Sequence, residues 1–170
     1  MKTFDEALHY LLTKAVTTEQ TEIIPIANAF GRILAEPIKS PVNVPPHNNS
    51  MMDGYALHGF DLEHIITFEV SQRIPAGTTP TPLKTGTVAR IFTGAPIPEG
   101  ANMVIMQEET EQVGENKIRI NATKTKAKQN IRMVGEDIAK NATILKPGQK
   151  LRAQELGLIS NHIRGFTKRK

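Results

Sequence analysis

The chain has 170 residues, with 21 Lys plus Arg against 17 Asp plus Glu, a formal charge of +4. Apolar residues at 39% and charged residues at 22% suit a folded domain rather than a disordered chain. The absence of Cys removes disulfides, thiol nucleophiles and thiolate metal sites together, and no apolar run approaches the ~20 residues that a membrane helix needs.

Four positive charges (Arg164, Lys168, Arg169 and Lys170) fall in the last seven residues, so the basic balance is a terminal effect. With two Tyr, six Phe and no Trp to stack bases, a nucleic-acid partner is not expected. Nor is a membrane partner. The start of the chain lacks a long apolar stretch of the secretory kind, and a reducing cytoplasm is the expected compartment.

In chain order, Thr3 and Glu6 form a capping box, and Phe4, Ala7, Leu8, Leu11, Leu12 and Val16 continue as a helical stripe that should stop near Thr17-Thr18. A second helical pattern carries Ile26, Ala29, Phe30 and Ile33 and must end before Pro37. Pro37, Pro41, Pro45 and Pro46 then make a stiff connector. From about Met52 to Asp137 the texture changes to short strands and turns. Candidate strands are Ile65–Val70, Thr87–Phe92, the continuous apolar run Met103–Met106, and the alternating Lys117–Ile120. Beyond them, Ile144-Leu145 and Leu151 read as a strand pair around Pro147-Gly148. Ala153, Leu156, Ile159 and Ser160 read as a helix with Gly165 as its stop.

The expected fold class is therefore α+β: a β-rich domain of short strands, barrel-like or a sandwich, inserted into a small helical or mixed domain. The expected boundaries are 46–139 for the insertion and 1–45 with 140–170 for the discontinuous host. Charge is segregated within the insertion. Glu99, Glu108, Glu109, Glu111 and Glu115 lie in a stretch without Lys or Arg, and six basic residues follow from Lys117 to Arg132. Cross-strand pairing of opposite charges and a basic face for an anion are both readings of that pattern.

Three segments could carry chemistry. Asn48-Asn49-Ser50-Met51-Met52-Asp53-Gly54-Tyr55-Ala56 has a turn dipeptide that can project the Asp53 carboxylate into a cleft, or simply turn the chain. Ile91-Phe92-Thr93-Gly94-Ala95-Pro96-Ile97-Pro98-Glu99-Gly100 is a strand running into a proline-stiffened loop, with the Thr93 hydroxyl and successive amides available to an oxyanion. It lacks the Lys of a P-loop. Asn130-Ile131-Arg132-Met133-Val134-Gly135-Glu136-Asp137 offers a guanidinium fork and two hard oxygen ligands, or a surface ion pair.

In this order and spacing the three segments resemble the MoeA family of molybdopterin molybdenumtransferases, and they are similar to the E domain of gephyrin. Ala76-Gly77, Phe30–Ala35 and Leu145–Leu151 also fall where that family has them. The resemblance implies insertion of molybdate into adenylylated molybdopterin, with Mg2+ and release of AMP. It implies Asp53, Thr93 and Asp137 as catalytic residues, with Ser50, Gly94 and Arg132 binding substrate; the metal ligands stay unassigned. It further implies a homodimer and a molybdopterin adenylyltransferase as the upstream partner. Two residues depart from the family pattern: Asn48 stands where an Asp is common, and Met51 where an Ala is common. The family continues into a pterin-binding α/β domain and a C-terminal β domain that this chain lacks. The chain is therefore expected to be inactive alone, with a dimerisation or interaction module as the alternative reading.

Overall fold

The structure is a computed structural model that describes residues 3–16, 19–59, 66–121 and 126–162. Helix α1 (Phe4–Lys14) opens on the expected capping box: the Thr3 hydroxyl accepts the Glu6 amide at 3.3 Å, and the Thr3 amide donates to the Glu6 carboxylate at 2.8 Å. It stops at Lys14, three residues before the expected end; Thr17 and Thr18 lie outside the described residues. None of its side chains is buried.

The second helical pattern does not become a helix. Only Ile26–Asn28 forms a single 3₁₀ turn, and Gly31 then takes a left-handed conformation with φ +78°. That φ breaks the ladder an α-helix would need. The freed backbone pairs elsewhere. The Gly31 and Leu34 amides donate to the Leu151 and Gln149 carbonyls at 2.7 and 2.9 Å, and the Leu151 amide donates to Arg32 at 2.8 Å. Leu151 therefore pairs with residues 31–34 rather than with Ile144-Leu145, as the sequence pattern suggests.

A six-stranded mixed sheet dominates the chain. Its strands are β3 (Gly54–Leu57), β4 (Thr67–Ile74), β5 (Thr87–Ile91), β6 (Met103–Met106), β7 (Thr110–Gly114) and β8 (Lys117–Ile120), in the order β6-β3-β5-β4-β8-β7. Only β4 and β5 run parallel. Strand β4 begins at Thr67; Ile65 lies outside the described residues. Strands β6 and β7 are the two edges of the sheet, yet a three-residue 3₁₀ turn, Gln107–Glu109, joins them. Such a short connection between opposite edges forces the sheet to curl, so the β-rich part is a half-barrel and not a sandwich.

Alternation along the strands sends side chains to two faces. Leu57, Phe68, Val88, Met103, Ile105, Ile118 and Ile120 cluster on one, and Ala56, Ile74, Ala89, Ile91, Ala95, Val104 and Ile131 on the other. Leu57 and Val88 are fully buried and Phe68 is nearly so; each such side chain contributes about 1.5–3 kcal/mol. On the outward face Arg119 bonds Glu111 at 3.1 Å across the β7–β8 pair, which realises the cross-strand reading of the charge pattern.

Two short pairs lie beside that sheet among the described residues. Strand β1 (Ile38–Lys39) pairs antiparallel with β10 (Thr143–Leu145), and β2 (Asn49–Ser50) with β9 (Ile131–Arg132). Helix α2 (Ala153–His162) contributes Ile159 to a third cluster with Ala29, Leu145 and Leu151. Gly165, the expected stop of this helix, and the basic tail lie outside the described residues. The fold is α+β, as expected.

Candidate functional site

Strand β2 holds the three motif segments together. On one side it pairs with β9, in the register Asn49↔Arg132 and Ser50↔Ile131. On the other, the Ser50 amide donates to Ala95 and the Gly94 amide returns to the Ser50 carbonyl, both at 2.9 Å, while the Ile97 amide donates to Asn48 at 2.9 Å. Gly94 has φ +81°, the left-handed conformation that turns the chain after Thr93, and at this position a Cβ would be strained. The Ser50 hydroxyl donates to the Met52 carbonyl at 2.6 Å and tightens the bend that presents Asp53.

At the tip of that bend the Thr93 amide and hydroxyl both donate to Asp53 Oδ1, at 2.8 and 2.9 Å. The Thr93 amide is the largest cause holding the Asp53 carboxyl below its ordinary value. The Thr93 hydroxyl follows, partial burial opposes, and the Arg90 guanidinium adds to the lowering. Asp53 is thus a fixed carboxylate whose Oδ2 takes no hydrogen bond from the described residues.

The third segment is organised around its own ion pair. Arg132 bonds the Asp137 carboxylate, and that bond raises the Arg132 pKa. Glu136 accepts the Met133 amide at 2.7 Å, and the Asp137 amide donates to Val44 at 3.0 Å. Arg132 and Asp137 stay 45% and 41% exposed, so their pairing orients both groups more than it stabilises the fold.

All six expected site residues therefore lie on one small β2-centred platform. Ser50 and Gly94 bond each other, Asp53 bonds Thr93, and Arg132 bonds Asp137. The structure does not gather Asp53 and Asp137 into one ligand cage: among the described residues no three acidic or histidine side chains could share a metal. A magnesium ion needs only one or two carboxylates when substrate phosphates complete its shell. Asp53, with Oδ2 open, fits such an anchor; Asp137 also keeps one oxygen, Oδ1, without a hydrogen bond among the described residues, but it shares its charge with Arg132. The expected cradle of loop amides is already filled. The amides of Thr93, Gly94, Ala95 and Ile97 all bond within the chain.

Two contributors escape sequence reasoning. Asn48 Oδ1 accepts the Val134 amide at 2.8 Å, tying the first segment to the third. Arg90 donates to the Gly54 carbonyl at 2.9 Å and to Gln107 Oε1 at 2.5 Å, while the Gln107 amide donates to the Asp53 carbonyl at 3.1 Å. The signal for Arg90 was present: alternation on β5 places it on the same face as Val88, opposite Tyr55 on β3.

The family described as the MoeA N-terminal region (domain I and II) matches residues 2–162. A molybdopterin molybdenumtransferase of Haemophilus influenzae is 38% identical over 164 residues, which are 95% of this chain and 40% of that protein. Gephyrin of Dictyostelium discoideum is 34% identical over 177 residues, covering 94% of this chain and 24% of its own length. The crystal structure of a molybdopterin biosynthesis moeA protein from Pyrococcus horikoshii OT3 matches with a TM-score of 0.80 at 34% identity, over 93% of this chain and 43% of that one. The chain thus spans less than half the length of each of these relatives.

Proposed function

The chain belongs to the MoeA N-terminal family, and from that premise we propose that it supplies one wall of a site that inserts molybdate into adenylylated molybdopterin and releases AMP. The Asp53–Thr93 arrangement carries this reading: a carboxylate held ionised, with one oxygen open, on a platform shared by all three motif segments. Bound magnesium would supply charge neutralisation at the phosphate bond, and Asp53 would help hold it. Thr93 is the positioning residue for Asp53. Arg132 orients Asp137 at the neighbouring edge, where it can steer a water or a phosphate. With the loop amides engaged, the oxyanions of molybdate and phosphate fall to cationic side chains and to a second wall.

A single wall gives too few contacts to hold nucleotide, metal and molybdate together, so the chain alone is proposed to be inactive. The substrate would come from a molybdopterin adenylyltransferase. The proposed division is a β insertion, 46–139, within a discontinuous host of 1–45 and 140–170. Pairing of β1 with β10 and the Ala29–Leu145–Leu151–Ile159 cluster support it. The cytoplasm is the proposed compartment.

The test is a chimera in which this chain replaces the matching segment of the Haemophilus influenzae enzyme. Molybdate-dependent AMP release should be retained, and Asp53→Asn should lower it about 100-fold or more, within the usual span for removing a proton-transfer or electrostatic group. An Asp53→Asn chimera as fast as its parent would overturn the reading.

One observation favours an interaction role beside the catalytic one. Phe4, Leu8, Leu11 and Leu12 line α1 and are exposed, Phe4 at 80%. A second copy of the chain is the proposed occupant of that stripe. Sedimentation should show a dimer that Leu11→Lys with Leu12→Lys converts to monomer, and a wild-type monomer would exclude the pairing.

A further inference from the structure

On the cluster face of the half-barrel that carries Leu57 and Phe68, the apolar floor opens into a cleft of about 340 Å³. Tyr55, Val70, Arg73, Arg90, Lys117 and Ile118 line it. The two lining guanidinium groups share the neighbouring Phe92 ring: Arg90 lies 4.5 Å and Arg73 4.8 Å from its centre, and Arg90 lies 5.2 Å from Tyr55.

The balance of charge around this stack is unusual. Arg90 gives its hydrogen bonds to neutral acceptors, the Gly54 and Ile91 carbonyls and Gln107. Arg90 also acts on the charge of Asp53, which is already bonded to Thr93. Neither Arg73 nor Lys117 makes an ion pair with an acid among the described residues. One acid, Glu115, stands at the lip. Two cations brought to one ring repel each other, and an aromatic quadrupole offsets only about 0.5–2 kcal/mol per cation. An anion in the cleft that both guanidinium groups line would relieve that repulsion.

The dimensions select among anions. A volume of about 340 Å³ lies at the lower end of the range for small-molecule sites, larger than a bare oxyanion fills. Val70 and the Tyr55 ring, partly exposed over the core cluster, provide an apolar surface beside the cations. We propose that this cleft binds a small organic oxyanion, a phosphate ester or carboxylate with a ring or hydrocarbon body, distinct from the Asp53–Thr93 bend and bordered by it only through Arg90.

Calorimetric titration of the 170-residue chain with phenyl phosphate and with benzoate tests this, with inorganic phosphate and phenol as the two halves of the first probe. Saturable binding of phenyl phosphate, benzoate or both is expected, and the stronger of the two assigns the anion class. Arg73→Ala should weaken binding at least tenfold and Glu115→Gln should tighten it. The distant Lys146→Ala should leave it unchanged. No saturable binding of either probe, wild-type affinity in Arg73→Ala, or inorganic phosphate binding as tightly as phenyl phosphate would each overturn the proposal. Because the readout is binding to this chain, it stands or falls separately from molybdate insertion.

Discussion

Thr93 gives both its amide and its hydroxyl to the same carboxylate oxygen of Asp53, at 2.8 and 2.9 Å. Forty residues apart, the two are bound so that one Asp53 oxygen is committed to position and the other left for chemistry. The lowered Asp53 pKa follows first from the amide and second from the hydroxyl. Thr93→Val removes only the second. The Asp53 pKa, followed by carboxyl-carbon NMR across a pH titration, should rise in that variant yet remain below the ordinary carboxylate value. A return to the ordinary value would show that the hydroxyl, not the amide, holds the carboxylate.

Gly54 lies where two strands approach most closely. A Cβ there would sit 2.0 Å from the Ile105 carbonyl oxygen and 2.9 Å from its carbon, both backbone atoms of β6. No rotamer relieves that clash, because β3 is held between β5 and β6. Gly54→Ala should cost about 3 kcal/mol or more, at the upper end of overpacking penalties, and lower the urea midpoint accordingly. Gly77→Ala separates space from backbone strain: a Cβ at Gly77 meets nothing within 4 Å, so only its φ of +82° opposes the change. Its cost should be smaller.

Asn48 replaces a common family Asp while keeping an acceptor for the Val134 amide at 2.8 Å. The carboxamide is therefore a structural tie between the first and third segments. Asn48→Asp should preserve stability, whereas Asn48→Ala should lose about 0.5–1.5 kcal/mol, the net worth of one hydrogen bond. Equal midpoints for all three proteins in urea denaturation would show the bond to be dispensable.

Acid should weaken the C-terminal helix first at Glu155. Its carboxylate, only 10% exposed, takes the Arg152 amide at 2.9 Å and the Arg152 guanidinium at 2.7 and 3.1 Å. The guanidinium bond, more than the backbone amide, lowers its pKa from 4.5 to about 2, against the opposing effect of burial. A carboxyl depressed in the folded state stabilises the fold fully above the unfolded value and loses that contribution as pH falls to the folded one. The window is therefore about pH 4.5 to 2. Denaturation midpoints of wild type and Glu155→Gln should converge as the pH falls through that window; a constant difference between them would exclude the linkage.

Much of the fold is written in local pattern. Thr3 and Glu6 announce α1, the unbroken Met103–Met106 run reads as a strand and is buried from Met103 to Ile105, and Ile118 and Ile120 alternate inward as spaced. Residues 26–33 misled because their apolar spacing fits a helix while Gly31 takes a φ that no helix allows; apolar period carries no record of one left-handed residue. Leu151 misled because a turn at Pro147-Gly148 suggests a hairpin, whereas its backbone pairs with residues more than a hundred positions earlier. At the site, each segment alone was ambiguous between turn and ligand. Their meeting on β2 depends on long-range pairing, which only the resemblance anticipated. The Asn48–Val134 tie lay beyond either route, since it depends on where one side chain reaches; alternation puts Arg90 on its face of β5 but does not name its hydrogen-bond partners.

The three-residue turn between β6 and β7 also bears on how the chain survives in solution. Met103–Met106 is an apolar edge strand of the kind that can recruit copies of itself into fibrils. Here that edge is occupied: the Val104 amide donates to Gln129 at 3.0 Å, and its carbonyl accepts the Asn130 side chain at 2.9 Å. The curl and this strap act together as a guard against self-association. Loosening residues 126–131 would free the apolar edge and turn the half-barrel into an aggregation seed while the remaining strands were still paired.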